Sequence, residues 1–246
     1  MGELIAVASG KGGTGKTSVC AGAAVALAQS GQRVLCIDCD VGLRNLDIPL
    51  GLADLCPLSF TDVLQGSYSL SQATIHPIFP NLHFLTAPMN CPPESIVLAD
   101  FGTLMRAARE AYDYIFLDAP AGMEAGFRLA VTYADRCILV TGPGPAAIRD
   151  AARTAQVLEL MGKENIRLVV NRLSRSMVRA LNVTVDDLMD AAGLPLLGII
   201  PEDPHVTLAA AANQPLLHHR PRSAAAKAMA RIAKRIQGLP EPIRIR

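Results

Sequence analysis

Short apolar runs recur along the chain at residues 4–8, 34–38, 82–86, 114–118, 137–141, 167–171 and 196–200, each bounded by glycine, proline or polar turn residues. Most are continuously apolar rather than alternating, the pattern of strands covered on both faces. Helical patterns fill the intervals at residues 16–29, 93–111, 145–161, 185–192, 204–213 and 222–236. Alternation of this kind predicts a three-layer α/β fold, with a mostly parallel sheet, right-handed crossovers and helices on both faces. No internal repeat or low-complexity linker interrupts it. One domain is therefore expected over residues 1–238, with a short basic tail at 239–246. Loops rich in proline and glycine at 88–93 and 142–145 follow strands. At the carboxyl ends of parallel strands, such loops are where ligands sit.

Composition sharpens the picture in three ways. Half of the 246 residues are hydrophobic and 18% are charged, which excludes disorder. Tryptophan is absent and aromatics make up 4%, so Ala, Leu, Val and Ile must fill the core. The longest apolar run, 19–28, falls short of the ~20 residues a membrane span needs. The first residues carry no basic n-region or h-region, and Ala6 stands where a myristoylation signal needs Ser or Thr. The expectation is a cytoplasmic chain. Its six cysteines are scattered, and reduced thiols are the default there. Cys36 and Cys39 form a CxxC, but Cys36 lies inside a strand pattern rather than opening a helix, so redox use is not expected.

Net charge is +1, unevenly spread. From His218 to Arg246 eight Lys/Arg face one acid, or +7, and the remainder of the chain is −6. Such a terminus is either a solvated helix face or a surface for an anionic partner, lipid or nucleic acid.

The sharpest chemical signal is Gly10-Lys11-Gly12-Gly13-Thr14-Gly15-Lys16-Thr17, which fits G-x4-G-K-[ST] between a strand and a helix. The glycines let backbone N–H groups converge on phosphate oxygens, and the helix N-terminus adds unpaired donors. Lys16 is placed to reach the β- and γ-phosphates, and the Thr17 hydroxyl to reach Mg²⁺; Ser18 follows as a further candidate contact. Two strands end in carboxylates. Asp38 could hold Mg²⁺ directly or through water, and Asp40 is free to orient an attacking water. Asp118 ends a buried strand within reach of the same metal, and Gly122 follows with a backbone N–H for the γ-phosphate. Phosphoryl transfer needs both a metal anchor and a water-orienting group.

Lys11 is superfluous in a plain phosphate loop. The run from Lys11 to Thr17 resembles the deviant Walker A of the MinD/ParA ATPase superfamily. Asp38-Cys-Asp40-Val-Gly42-Leu-Arg-Asn45-Leu-Asp47 resembles the first switch of its MinD branch, and Asp118-Ala-Pro-Ala-Gly122 its second, with Ala119 in place of serine. The resemblance spans about residues 4–236. It implies a P-loop NTPase fold with ATP and Mg²⁺ as cofactors. It also implies an ATP-dependent homodimer in which Lys11 reaches the partner's nucleotide and joins Lys16 and Asp40 in catalysis. Asn171 and Arg172 match the family's adenine contacts, and Pro201 and Asp203 its second adenine-side loop.

The function this implies is a slow ATP-hydrolysing switch for placing the division site, working with division-inhibitor and ATPase-activating partners. A ParA-like DNA-partitioning or flagellar-positioning ATPase is the alternative. An iron–sulfur electron carrier like the nitrogenase iron protein is disfavoured, because residues 119–127 hold no cysteine. Two departures stand out. Family members carry a membrane-binding amphipathic helix after a linker. Here residues 222–236 read as the last body helix, and the remainder contains two prolines. Any contact with the inner face of the membrane is therefore expected to be weak and dependent on anionic lipid, and DNA binding stays open. Residues 49–80 show less likeness, so partner specificity there is not legible.

Overall fold

The computed structural model describes residues 1–89, 91–174, 176–177 and 184–243. Each apolar run forms a strand: β1 (Glu3–Ala8), β2 (Val34–Asp38), β4 (Leu82–Leu85), β5 (Tyr114–Asp118), β6 (Arg136–Thr141), β7 (Ile166–Leu173) and β8 (Leu196–Pro201). With a short β3 (Thr74–Ile75) they make one sheet in the order β3-β4-β2-β5-β1-β6-β7-β8. All pairings are parallel except β3 with β4. All seven parallel strands therefore end at one edge, where the candidate motifs lie.

Alternate residues of the strands feed two cores. Leu4, Ala6 and Ala8 join one with Phe101, Phe127 and Ile148, from helices α4 (Leu98–Ala111), α5 (Ala125–Thr132) and α6 (Pro145–Leu160). Ile5 and Val7 join the other with α1 (Lys16–Gln29) and α10 (Ala224–Ile236). This is the three-layer α/β arrangement. Helix α1 lacks an exposed stripe because the sheet lies on one side and α10 on another; Val19 to Ala28 are all buried. The two helices touch at Gly22, where a Cβ would overlap Met229 Sδ.

Several elements differ from the sequence pattern. The helix expected from 93 starts at Leu98, after a 3₁₀ turn at Pro93–Ser95 and extended residues at Ile96 and Val97. Pro93 holds Pro92 extended and opens the 3₁₀ turn, so the α-helix begins only beyond it. Four short helices escaped the periodic reading: α2 (Asp47–Leu50), α3 (Phe60–Leu64), α5 and α9 (Leu216–His219). α2, α3 and α9 have five residues or fewer, too short for a repeat to show; α5 has eight, as many as the helix at Val185–Ala192, and length alone does not account for it. For α3 the signal was present as a capping box, Ser59 with Asp62. The remaining helices, α7 (Val185–Ala192) and α8 (His205–Ala211), fall where expected.

The inward face of α10 is Met229, Ile232 and Ile236, as expected. Part of its positive charge is structural. Arg235 donates to the carbonyls of Leu197 at 2.6 Å and Glu241 at 2.9 Å. Lys227 and Lys234 remain exposed. Arg244 and Arg246 of the expected tail lie outside the described residues. Among the described residues no helix is long and apolar enough to cross a membrane.

The β3 edge is fastened by buried His76. Its Nε2 meets the Leu50 carbonyl at 2.8 Å, and Nδ1 accepts from the backbone N–H of Ile78 at 3.1 Å and Phe79 at 3.2 Å. The tautomer is therefore fixed, and a proton on Nδ1 would face two donors. Burial, helped by nearby His218, lowers its pKa from the ordinary value even against the Leu50 bond. The folded chain favours the neutral ring. Its contribution is full above the unfolded pKa of about 6.5 and is lost as pH falls below it. The difference in thermal stability between wild type and His76→Ala isolates this contribution from the groups both chains share. It should be about 2 kcal/mol at pH 8 and shrink as pH falls to about 5. A difference that does not change with pH would show that the His76 ring is not the titrating group.

Candidate nucleotide-binding site

The loop between β1 and α1 is shaped by its own carbonyls. Buried Ser9 donates its hydroxyl to the Lys11 carbonyl at 3.0 Å. Gly15 caps α1 at φ 83°, left-handed backbone that favours glycine. A Cβ on Gly15 would also strike the Asn171 amide, which donates to the Thr14 carbonyl at 2.8 Å. Arg172, held at φ 59°, donates to the Gly13 carbonyl at 3.3 Å and pairs with Glu202 at 3.5 Å. The end of β7 is thus stitched to the loop. No side chain caps α1, and no acid lies in its first turn. Its terminal N–H groups therefore face a position suited to an anion. The Thr14 hydroxyl is buried with no hydrogen-bond partner among the described residues. An oxyanion would supply what these donors lack.

Beneath the loop, strand register brings two acids together. Asp38 and Asp118 are opposite each other in the β2–β5 pairing, and both are buried. Asp118 Oδ1 accepts from Lys16 Nζ at 2.8 Å, and the same ammonium donates to the Thr17 hydroxyl at 3.3 Å. Asp38 accepts from the backbone N–H of Asp40 at 2.8 Å and of Leu46 at 3.1 Å, which folds the loop of the first switch around it. Arg44, at φ 48°, pins that loop to Thr86 at 3.0 Å.

Electrostatics follow from this crowding. Burial first, then Asp118, push the Asp38 carboxyl up to about 7, against its two backbone bonds. Burial raises Asp118 and half-buried Asp40 as well, with Lys16 pulling both back. Burial disfavours the Lys16 ammonium, but Asp118 outweighs it and the Lys16 pKa rises. Adjacent buried acids of this kind suit a divalent cation. Among the described residues no three His, Cys, Asp or Glu are arranged to hold a metal by themselves. The chemistry therefore fits a Mg²⁺ that takes remaining ligands from phosphates.

A cavity of about 300 Å³ opens on the other side of the loop, with Gly15, Ser18, Asn171, Arg172, Pro201 and Asp203 in its lining. Asn171 donates one of its two amide N–H groups to Thr14, which leaves its oxygen and the second N–H for a ligand. Asp203 contributes to the wall, but its carboxylate is engaged. It accepts from His205 N at 3.0 Å, His205 Nδ1 at 2.8 Å and Ala225 N at 3.0 Å, so it ties the starts of α8 and α10 together. Lys11 stands apart on the rim with Gly12, exposed and without an ion pair among the described residues, beside Gly142, Pro143 and Gly144. Ser9 and Thr86 were not foreseen from the sequence; a lone hydroxyl at a strand end carries no recognisable spacing.

Comparison with known proteins bears on this geometry. Residues 5–216 match the family model described as the CobQ/CobB/MinD/ParA nucleotide binding domain. The septum site-determining protein MinD of Synechocystis sp. is 39% identical over 241 residues, covering 97% of this chain and 90% of that one. The chain belongs to the MinD family. Solved MinD structures superimpose on it closely. The Aquifex aeolicus MinC:MinD cell division protein complex gives a TM-score of 0.90 at 34% identity, covering 99% of this chain and 98% of that chain. The Pyrococcus horikoshii septum site-determining protein MinD, complexed with Mg-ADP, gives 0.84 at 30% identity, covering 96% of each. The chain is thus a P-loop ATPase of the MinD type.

The commitment of Asp203 to two helix starts separates a wall residue from a base contact. Asp203→Ala should cost about 2 kcal/mol of stability, or roughly 4–8 °C in Tm. Adenine-nucleotide affinity measured well below that Tm should change little. A large loss of affinity at unchanged Tm would make Asp203 a direct contact instead.

Proposed function

We propose that this MinD-family chain is an ATP-driven switch in division-site placement. It binds ATP with Mg²⁺, pairs with a second copy, engages partner proteins and releases them after slow hydrolysis. The observation that carries the reading is the convergence of uncapped α1, Lys16 and Thr17 with the adjoining Asp38 and Asp118. That set offers donors for phosphate and acids for a divalent cation within one pocket. The near-full-length likeness to septum site-determining proteins supports the cellular role. The Aquifex aeolicus MinC:MinD complex supports a partner protein.

In this reading Lys16 and the α1 N-terminus bind the β- and γ-phosphates. Thr17, Asp38 and Asp118 would hold Mg²⁺, which would supply positive charge beside the phosphates. The bonds from Asp38 to the backbone of Asp40 and Leu46 fix the switch loop and hence the carboxylate of Asp40, which orients the attacking water. On the base side, the oxygen of Asn171 is placed to accept from the exocyclic amine of adenine. Exposed Lys11 crosses to the nucleotide of a second copy, so dimerisation depends on ATP. Residues 1–238 act as one ATPase unit. The tail at 239–246 and the exposed cations of α10 give at most a weak, salt-sensitive contact with anionic lipid.

Two substitutions test the switch by gel filtration and phosphate release. Asp40→Ala should bind ATP within a few-fold of wild type, lose roughly 10²-fold or more in turnover and accumulate as dimer with ATP. Wild-type turnover in that variant would place the water-orienting group elsewhere. Lys11→Ala should bind ATP as a monomer and fail to dimerise. Normal ATP-dependent dimers would remove Lys11 from the shared site.

A further inference from the structure

One carboxylate holds the ammonium that the proposed site offers to phosphate, and that ammonium holds the Thr17 hydroxyl. Asp118 accepts from Lys16 Nζ at 2.8 Å, and Lys16 Nζ in turn donates to the Thr17 hydroxyl at 3.3 Å. The ion pair is deeply buried, with side-chain exposures of 8% for Lys16 and 1% for Asp118. Asp38 lies beside Asp118 in the β2–β5 register, with both its oxygens engaged by backbone N–H groups. Lys16 is therefore the cation that balances a buried acid pair.

Removing one member of a buried ion pair leaves the other charge uncompensated, which is strongly unfavourable. Drawing Lys16 onto phosphate uncovers Asp118 next to Asp38. A divalent cation arriving at the same moment restores the balance, and Thr17 is released to join it. The reverse order is equally poor. While Asp118 holds Lys16, a cation alone meets acids whose oxygens are already engaged, with no third acid, His or Cys among the described residues to complete its shell.

We infer that Asp118, besides holding metal, is a positioning residue that stores the Lys16 ammonium, so that capture of nucleotide phosphate and capture of the divalent cation form a single exchange. This rests on the reading of the pocket as an ATP site. The coupling is reciprocal: Mg²⁺ tightens ATP and ATP tightens Mg²⁺ by the same factor.

Calorimetric titration of the full chain with ATP, in EDTA and in excess Mg²⁺, tests it. A residue that only ligated metal would leave metal-free binding unchanged when replaced. A residue that stores Lys16 would restrain it. Asp118→Asn should therefore bind ATP in EDTA about tenfold or more tightly than wild type. It should also lose most of the gain that Mg²⁺ gives the wild type. Asp40→Asn removes the same charge from the same site without a bond to Lys16, and should raise metal-free affinity far less. Unchanged or weaker metal-free binding in Asp118→Asn, or an equal gain in Asp40→Asn, would overturn the inference. Should Asp118→Asn not fold, the Lys16 ammonium proton signal in the NMR spectrum of the wild-type chain without nucleotide decides. Slow exchange with water supports the stored pair, and exchange as fast as that of exposed Lys11 refutes it. A wild-type chain that binds no ATP even with Mg²⁺ would instead defeat the reading of the pocket itself.

Discussion

A buried ammonium needs a buried anion, and this fold is arranged to supply one. Lys16 opens α1 and Asp118 closes β5; they meet because β1 lies beside β5 and hands the chain directly into the loop above it. Parallel pairing fixes the rest. With β2 on the far side of β5, Asp38 falls level with Asp118. The position of each charge is set by strand register, and register is set by apolar side chains that must reach one core or the other. Hydrophobic packing therefore decides where the polar chemistry sits.

The loop above the acids is held from the opposite direction by β7. Asn171 and Arg172 reach the carbonyls of Thr14 and Gly13, so the cavity wall and the phosphate cradle share a backbone. Left-handed Arg172, like Arg44 on the switch loop, is a non-glycine residue in sparsely populated backbone space. Such conformations persist only where surrounding contacts over-determine them. Here the contacts are those of Arg172 with Gly13 and Glu202, and that of Arg44 with Thr86.

Much of this is legible in the sequence. Strands buried on both faces announce themselves as unbroken apolar runs, and a phosphate loop between strand and helix has a spacing few other structures need. Short helices such as α2 and α9 carry no period to read. β3 is two residues whose pairing depends on His76 and β4 rather than on its own pattern. Within the site, residue types foretold which groups gather but not how they are spent. Asp203 reads as a loop acid near a base and proves to be a shared cap for two helices. Lys16 reads as a free cation and is found in an ion pair. The partner of Lys16 lies 102 residues along the chain, and Asp203 is shared with Ala225 at the start of α10, beyond what local spacing can express.

The seam between α1 and α10 carries a different kind of constraint. Gly22 has no room for even a methyl group because Met229 occupies it, and Met229 also lines the cavity on the base side. The two positions are a single choice made twice. Any enlargement at 22 must be matched by a reduction at 229, and that reduction would widen the cavity. Sequence drift in an otherwise unremarkable helix pair is thereby tied to ligand fit, and these two positions should vary together or not at all.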